Sequence, residues 1–462
     1  MRRAVIVCFA AVAALAAGCG GDDGDEGGGG GLRGESITVW TGEFEPDRLD
    51  QQEEILARFT RKTGVETKLV PLPEDQVATL ITNAAAAGEL PDVLFSISTA
   101  DSHTYAAQGV FDSEAAQEVV ERLGEDTFSQ SALELVSQDG VATGVPSDAW
   151  GQLLIYRADL FEEAGLAAPE SLDDVRAAAE QLHGDGRVGI TLATAPKDAF
   201  TEQTFEHVAL AMGCQVVNDS GDVTFDSPEC AEALRYYADL ASNYSVQGNQ
   251  DVDSTRATYF AGRAAMAFWS PFLLDSMAGL VDDSRPSCPE CREDPAFLAK
   301  NSGLVGPLAG GSGEPAQFGN VATMNITTDA SKEAAQALVE YMLSDGYARW
   351  LGISPQGKYP VRSGTQEEPE RFVDIWEGLD SGVDRRAPLS NFYSEESIAS
   401  LGEGVQSFAR WGFPQGQGAL IGALGGERPI AEAVTEVIGG ADPGEVAAET
   451  QSRIEEIQTQ VE

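Results

Sequence analysis

Cysteine, carboxylate and tryptophan are the residue types in this chain with chemistry to offer, and their spacing differs. Cys214, Cys230, Cys288 and Cys291 form an even set in the body of the chain. "CQVVNDSGDVTFDSPEC" reads as strand, turn and strand, then a helix with Ser227 as N-cap and Pro228 in its first turn. Such a return brings its ends within bridging distance, so disulfides Cys214–Cys230 and Cys288–Cys291 are expected among the possible pairings. "CPEC" has two other readings, half of a zinc site or a redox pair. A zinc site needs a second ligand pair, and His103, His183 and His207 are scattered, with no HxxH spacing. The 75 Asp and Glu residues could include the two carboxylates of a glycosidase, but that pair is defined by a separation in space. No nucleophile elbow, phosphate loop, HExxH or dinucleotide glycine fingerprint occurs. Neither a cofactor nor a metal is expected.

The N-terminus carries a different chemistry. Met1-Arg2-Arg3 is a short positive region, and Ala4 to Ala17 is apolar. About 14 apolar residues fall short of the roughly 20 that span a bilayer, which favours a secretory signal over a membrane helix. Ala16-Ala17-Gly18-Cys19 resembles the lipobox of bacterial lipoproteins, where the cysteine is acylated and becomes the mature N-terminus. It departs in having Ala16 where leucine is usual, with Leu15 one step back. The alternative is an ordinary signal cleaved nearby, leaving Cys19 a plain thiol. From Gly20 to Gly34, nine of fifteen residues are glycine and four are acidic, a composition that behaves as a flexible, self-repelling tether. Extended, it reaches roughly 50 Å. The expected order is a signal over 1–18, then a lipidated Cys19 and linker over 19–35.

Beyond the leash, enough chain remains of the 462 residues for two or three domains, and 42% hydrophobic residues can build real cores. The formal net charge of −46, more negative still once Arg2 and Arg3 are removed, repels nucleic acid and anionic membranes and disfavours polyanionic ligands. The excess reads first as a solubility device.

Short β-branched runs alternate with helical patterns. "SITVWTGEF" is followed by "PDRLDQQEEILARFTRKTG", with Leu49, Ile55, Leu56 and Phe59 on one face and Gly64 as stop. "VETKLV", "EDQVATLITNAAAAGE" and "PDVLFSI" continue the alternation, which implies a mainly parallel α/β sheet. Ligands in such sheets sit at the carboxyl ends of strands, so the loops after Trp40 and Phe95 are candidates. "GVPSDAWGQLLIYRADLFEEAGL" reads as a crossing into a second α/β region. "GLVGPLAGGSGEPAQFGN" reads as a linking loop because of its glycines.

In this order the segments resemble the extracellular sugar-binding lipoproteins of ABC importers, the group that includes maltose-binding protein. The markers are "ITVWTGEF" with "ILARFTRKTGVETKLV", "AAAAGELPDVLFS", "GVPSDAWGQLLIYRADLFEEAGL", "FDSPECAEAL", "YFAGRAAMAFWSPF", and "DASKEAAQALVEYMLSDGYARW" with "KYPVRSG". The helix "PESLDDVRAAAEQL" departs by carrying Leu172 where the family commonly has tryptophan. The resemblance implies an α/β, two-lobed periplasmic-binding-protein-like fold of type II, with discontinuous lobes joined by hinge crossings. Lobe 1 would comprise 36–143 and 318–355. Lobe 2 would comprise 144–317 and the C-terminal helices of 356–462.

The resemblance also implies a site. A sugar offers C–H faces that suit aromatic planes and hydroxyls that suit forked polar groups. Glu43 stands where the family often places a polar contact, and Ser98 and Asp101 stand where it reads hydroxyls. Asp148 and Trp150 fall where the second lobe commonly supplies a carboxylate or aromatic. Trp269 and Trp411 align with loops that often carry stacking aromatics, and Asn320 follows the glycine-rich crossing. Arg362 reads as structural, and His207 as a satisfied core histidine. The implied function is a non-catalytic receptor, lipid-anchored outside the membrane, that captures a neutral sugar, oligosaccharide or polyol and delivers it to ABC permease subunits. A monomer is expected, contacting the membrane only through its lipid. The competing readings are a cell-surface glycosidase and a receptor feeding a sensor.

Overall fold

The computed structural model describes residues 32–461 apart from 74, 75, 312 and 407. The signal, Cys19 and residues 20–31 of the leash lie outside the described residues. Strand Ser36–Thr41 alternates, burying Ile37, Val39 and Thr41. Helix Pro46–Thr63 opens on Pro46, whose missing N–H needs no partner there, and stops at Gly64 with φ of 81°. It buries Gln52, Ile55, Leu56 and Phe59. Leu49, expected on that face, is half-buried. Gln52 shares the buried face, its amide donating to the Glu43 carbonyl at 3.0 Å.

Strands Ser36–Thr41, Glu66–Pro71 and Val93–Ile97 pair in parallel. Strand Gly313–Ile326 joins Val93–Ile97 antiparallel and also pairs with Val145–Gly151. The second sheet runs Ser302–Val305, Leu153–Arg157, Ala264–Trp269, Val188–Thr191, with only the last pairing parallel. Each sheet is flanked by helices, giving two α/β lobes.

The chain leaves the first sheet at 151–153, because Val145–Gly151 and Leu153–Arg157 belong to different sheets. The crossing expected at Gly144 therefore falls later. Pro146 is accommodated inside the strand where the pairing with Gly313–Ile326 slips between Ala322 and Thr323. The expected linking loop over Gly303–Asn320 is also corrected, since it lies largely within strands Ser302–Val305, Leu308–Gly310 and Gly313–Ile326. Its glycines mark close approach. A Cβ at Gly319 would lie 2.0 Å from the Phe408 ring, and one at Gly313 2.3 Å from the Ala211 carbonyl.

A third segment lies beside these two, as Ala149 and Tyr359 exchange N–H···O bonds of 2.9 Å in both directions. Beyond it the chain serves both lobes, where 356–462 was expected on the second alone. Helix Arg371–Glu377 packs on Tyr347–Leu351, and Gly418–Glu427 packs on Thr99–Ala107 of the first lobe. Helices Pro429–Ile438 and Pro443–Val461 pack on Pro228–Tyr244 of the second.

Both expected bridges form, Cys214–Cys230 and Cys288–Cys291, with Cα–Cα separations of 4.5 and 4.9 Å. Ser227 caps helix Pro228–Tyr244, its hydroxyl accepting from Cys230 N at 3.3 Å. The hairpin between the first pair shrinks to one bridge, Val217 to Val223.

Loop length orders what the two bridges contribute. Cys214–Cys230 spans 16 residues and Cys288–Cys291 spans three. Loop-closure entropy then predicts losses of about 3 and about 1.5 kcal/mol for the respective double alanine variants. Denaturant titration of the two variants checks this, and equal losses or the reverse order would refute it.

Candidate functional site

The carboxyl ends of the first-lobe strands open onto a cavity of about 430 Å³. Its lining includes Glu43, Ser98, Asp101, Asp148, Trp150 and Asn320, six of the eight residues the sequence pointed to. Glu43 leaves the loop after strand Ser36–Thr41, and Ser98 caps helix Thr99–Ala107. The Ser98 hydroxyl donates to Asp101 Oδ2 at 2.7 Å and accepts from Asp101 N at 3.1 Å. Burial pushes the Asp101 carboxyl up, against the Ser98 hydrogen bond. Trp150 and Asn320 sit opposite each other on paired strands.

The electrostatic centre is Lys358, in the third crossing segment and 2% exposed. Its Nζ lies 2.6 Å from Glu43 Oε1, 3.3 Å from Asp148 Oδ2 and 4.4 Å from the Trp350 ring centroid. Arg48 Nη1 donates to Glu43 Oε2 at 2.7 Å. Trp350 Nε1 and the Ser147 hydroxyl donate to Asp148 Oδ1 at 2.6 and 2.8 Å. Burial alone would raise the Glu43 carboxyl, but the charges of Lys358 and Arg48 outweigh it and hold it at about 2. Burial would lower the Lys358 ammonium, but Asp148 and Glu43 hold it up.

Ser96 adds a constrained contact. It takes φ of 58° within strand Val93–Ile97, where the pairing with Gly313–Ile326 slips between Thr323 and Asn325. A left-handed non-glycine residue costs about 1 kcal/mol or more. Here it aims a hydroxyl at Glu43 Oε1, 3.2 Å away.

Trp269 and Trp411 are corrections. Trp269 ends a fully buried strand, pairs with Leu153 and packs on Phe200 with centroids 4.6 Å apart. Trp411 is 2% exposed, donates through Nε1 to the Cys214 carbonyl at 2.8 Å, and packs against Phe205 and Phe225. Both are core residues, and neighbours in sequence face the cleft instead. Phe272 takes an edge-on contact with Trp150 at 6.2 Å and lines the cavity. Sequence reasoning missed it along with Arg48, Ser96 and Lys358. The signals were that Lys358, Phe272 and Ser96 lie inside "KYPVRSG", "FWSPF" and "AAAAGELPDVLFS".

His207 is a core histidine but not the fully satisfied one expected: Nδ1 accepts from Phe318 N at 3.2 Å, Nε2 is buried without a partner, and burial lowers the ring to about 3. Arg362 is structural, donating to the Leu343 and Leu123 carbonyls and to Thr127 Oγ1. Among the described residues no group of histidine, cysteine and acidic side chains could hold a metal ion. The cavity offers aromatic edges and faces, oriented carboxylates and fixed cations.

A family model described as bacterial extracellular solute-binding protein matches residues 48–349. A putative ABC transporter periplasmic-binding protein of Escherichia coli K12 is 31% identical over 339 residues, covering 71% of this chain and 73% of that one. Two solved structures share the two-lobed fold. One is an ABC transporter solute-binding protein of Thermotoga lettingae bound with α-D-tagatose (TM-score 0.69, 20% identity, 92% of this chain and 100% of that one). The other is the GacH receptor of Streptomyces glaucescens, solved unliganded and with acarbose (TM-score 0.70, 18% identity, 92% and 98% coverage).

Replacing Lys358 by methionine leaves two carboxylates without their shared cation and should destabilise the fold by about 3 kcal/mol at pH 7. Glu43 titrates in the native protein well below its ordinary value near 4.5. Its contribution is therefore full above that value and lost as pH falls toward about 2. Thermal melts of Lys358→Met should trail the parent most at neutral pH and converge with it on acidification. A gap that persists unchanged at pH 3 would refute the ion-pair account.

Proposed function

Because the chain belongs to the bacterial extracellular solute-binding proteins, a family of receptors and not of enzymes, we propose that it captures a neutral sugar, oligosaccharide or polyol in this cleft. It then delivers that guest to the permease subunits of an ABC transporter. The observation that supports this reading is the buried set Glu43–Lys358–Asp148 with Arg48, facing a cavity walled by Trp150 and Phe272. Each ionised carboxylate there is fixed by a cation yet keeps lone pairs for hydroxyls, and hydrogen bonds to charged groups contribute about 1.5–3 kcal/mol each. Micromolar affinity requires about 8 kcal/mol, which a few such bonds and an aromatic contact supply. The Thermotoga lettingae and Streptomyces glaucescens relatives were solved with a sugar and with acarbose, which agrees with a carbohydrate guest.

The roles assigned are hydrogen bonding for Glu43, Ser98, Asp101, Asp148 and Asn320, and contact with the sugar face for Trp150. The lobes are taken to close along the three abutting crossing segments. The protein acts as a monomer on the extracellular or periplasmic side, held by acylated Cys19 on its glycine-rich leash. Among the described residues no helix is long and apolar enough to cross a membrane.

Titration calorimetry against mono- and oligosaccharides and polyols should find a ligand, and Trp150→Ala should weaken it at least about tenfold, the loss of roughly 1.4 kcal/mol. Silence across the panel would sink the reading. Cys19→Ala should shift the protein from the membrane fraction to the soluble one. Unchanged membrane retention would remove the anchor.

A further inference from the structure

We infer that the cleft contains a second subsite, between Glu202 and Arg410, and that the guest is an oligosaccharide of at least two rings. This rests on the sugar-receptor reading above. A second cavity of about 470 Å³ adjoins the first, and the two share Val77, Ser98, Asp101 and Asn320 as a common wall. Small-ligand sites run from roughly 300 to 1,000 Å³. Taken together the two compartments stand near the top of that range, well beyond what one sugar ring fills.

The second compartment is built, with its charges fixed from several sides. Arg410, 8% exposed at its side chain, donates through Nε to Glu206 Oε1 at 2.9 Å. Its guanidinium also stands 4.4 Å from the Phe318 ring centroid and 5.0 Å from that of Phe413. Glu206 Oε1 additionally accepts from Trp411 N at 3.1 Å. Stacking and pairing thus hold a planar donor and a carboxylate in fixed orientation, the groups that read ring hydroxyls.

Glu202 stands one turn before Glu206 on helix Ala199–Ala211 and lines the same cavity. Its Oε2 is buried and accepts no hydrogen bond, and Arg428 approaches it only to 3.8 Å. Burial, reinforced by Glu206 and opposed by Arg428 and Arg410, carries its carboxyl up to about 7. A buried polar atom without a partner is a cost that native structures rarely leave standing. A sugar hydroxyl between Glu202 and the shared Asp101 wall would remove it. Three acids, Asp101, Glu202 and Glu206, face two cations, Arg410 and Arg428. With Glu202 partly protonated the compartment is close to balanced, which suits an uncharged ring. The two lobes contribute opposite walls, so a guest reaching both compartments touches both.

The test uses Gly425, on the wall of this compartment, where an added Cβ meets nothing within 4 Å. The space around that Cβ is open, and leucine has the higher helix propensity. Calorimetry would compare matched series of one to four rings: glucose with maltose to maltotetraose, glucose with laminari-oligosaccharides, and xylose and arabinose with their oligomers. In the series that binds, affinity should rise about tenfold or more from one ring to two or three, and both Gly425→Leu and Glu202→Ala should abolish most of that rise. Equal affinity for one ring and for longer chains overturns the second subsite and leaves the receptor reading intact. So does a rise that survives both substitutions. Failure of every series, at every length, to bind the parent protein overturns this inference, and only silence across the wider panel of sugars and polyols overturns the receptor reading as well.

Discussion

A single buried ammonium governs how this molecule is put together. Taking Lys358 out of water costs several kcal/mol, and only close, well-directed partners offset it. Glu43 and Asp148 provide them, with the Trp350 ring at 4.4 Å. Glu43, Asp148 and Lys358 come from the loop after the first strand, the strand that leads into the first crossing and the third crossing segment. Satisfying one cation therefore fixes two crossing segments against the first sheet. Arg48 and Ser96 hold Glu43 from its other sides, and Trp350 and Ser147 hold Asp148. The cleft wall that results has little rotamer freedom left to lose, which is the condition under which binding forfeits least to ordering.

The crossing segments meet the same demand through bare backbone. The Gln317 side chain is wedged among glycines. A Cβ at Gly151 would lie 2.5 Å from its Nε2, and one at Gly306 2.8 Å from its Oε1. Its amide donates to the Gln152 carbonyl at 2.9 Å, tying one crossing to the next. A seam packed this closely has no room for side chains to slide, so relative displacement of the lobes must pass through torsions at a few residues. That is the general form of a hinge. The glycines of Gly303–Asn320 and the wedge at Gln317 are two views of one packing requirement.

What the sequence disclosed follows from the range of the interaction involved. Caps, stops and periodicity are local, so Gly64, Ser227, Pro228 and the apolar face of Ile55, Leu56 and Phe59 could be read directly. The disulfide Cys214–Cys230 was legible because its ends are brought together by a short return of chain. The loops after the first and third strands follow from where parallel strands open, and the family resemblance pointed to Glu43, Ser98 and Asp101 within them. Arg48 did not stand out, because its partner Glu43 precedes the helix instead of standing one turn along it, and Lys358 did not because a charge pair linking positions 43 and 358 leaves no local pattern. Trp269 and Trp411 were misplaced for the same reason. Whether a tryptophan at a strand end or in a loop turns inward depends on partners such as Phe200 and Cys214, which the flanking residues do not name. The glycine-rich run was misread because close backbone approach and chain flexibility call for the same residue.

The acidity of the chain and the charge of the cleft have different origins. The net charge of −46 is spread over the whole sequence, while the cleft arranges near-neutrality inside that field. Three of its buried carboxylates are matched: Glu43 by Lys358 and Arg48, Asp148 by Lys358, Glu206 by Arg410. Asp101 and Glu202, which have no hydrogen-bonded cation, are pushed toward the neutral form by burial. An entering anion finds Lys358, Arg48 and Arg410 already committed, and an entering cation finds the same of Glu43, Asp148 and Glu206. A hydroxylated neutral guest disturbs neither set and meets the lone pairs that remain. The commitment that orients Glu43 also holds it ionised down to about pH 2, far from the range in which a carboxyl serves as a general acid. The contacts that make this wall a good surface for hydroxyls therefore make it a poor one for proton transfer.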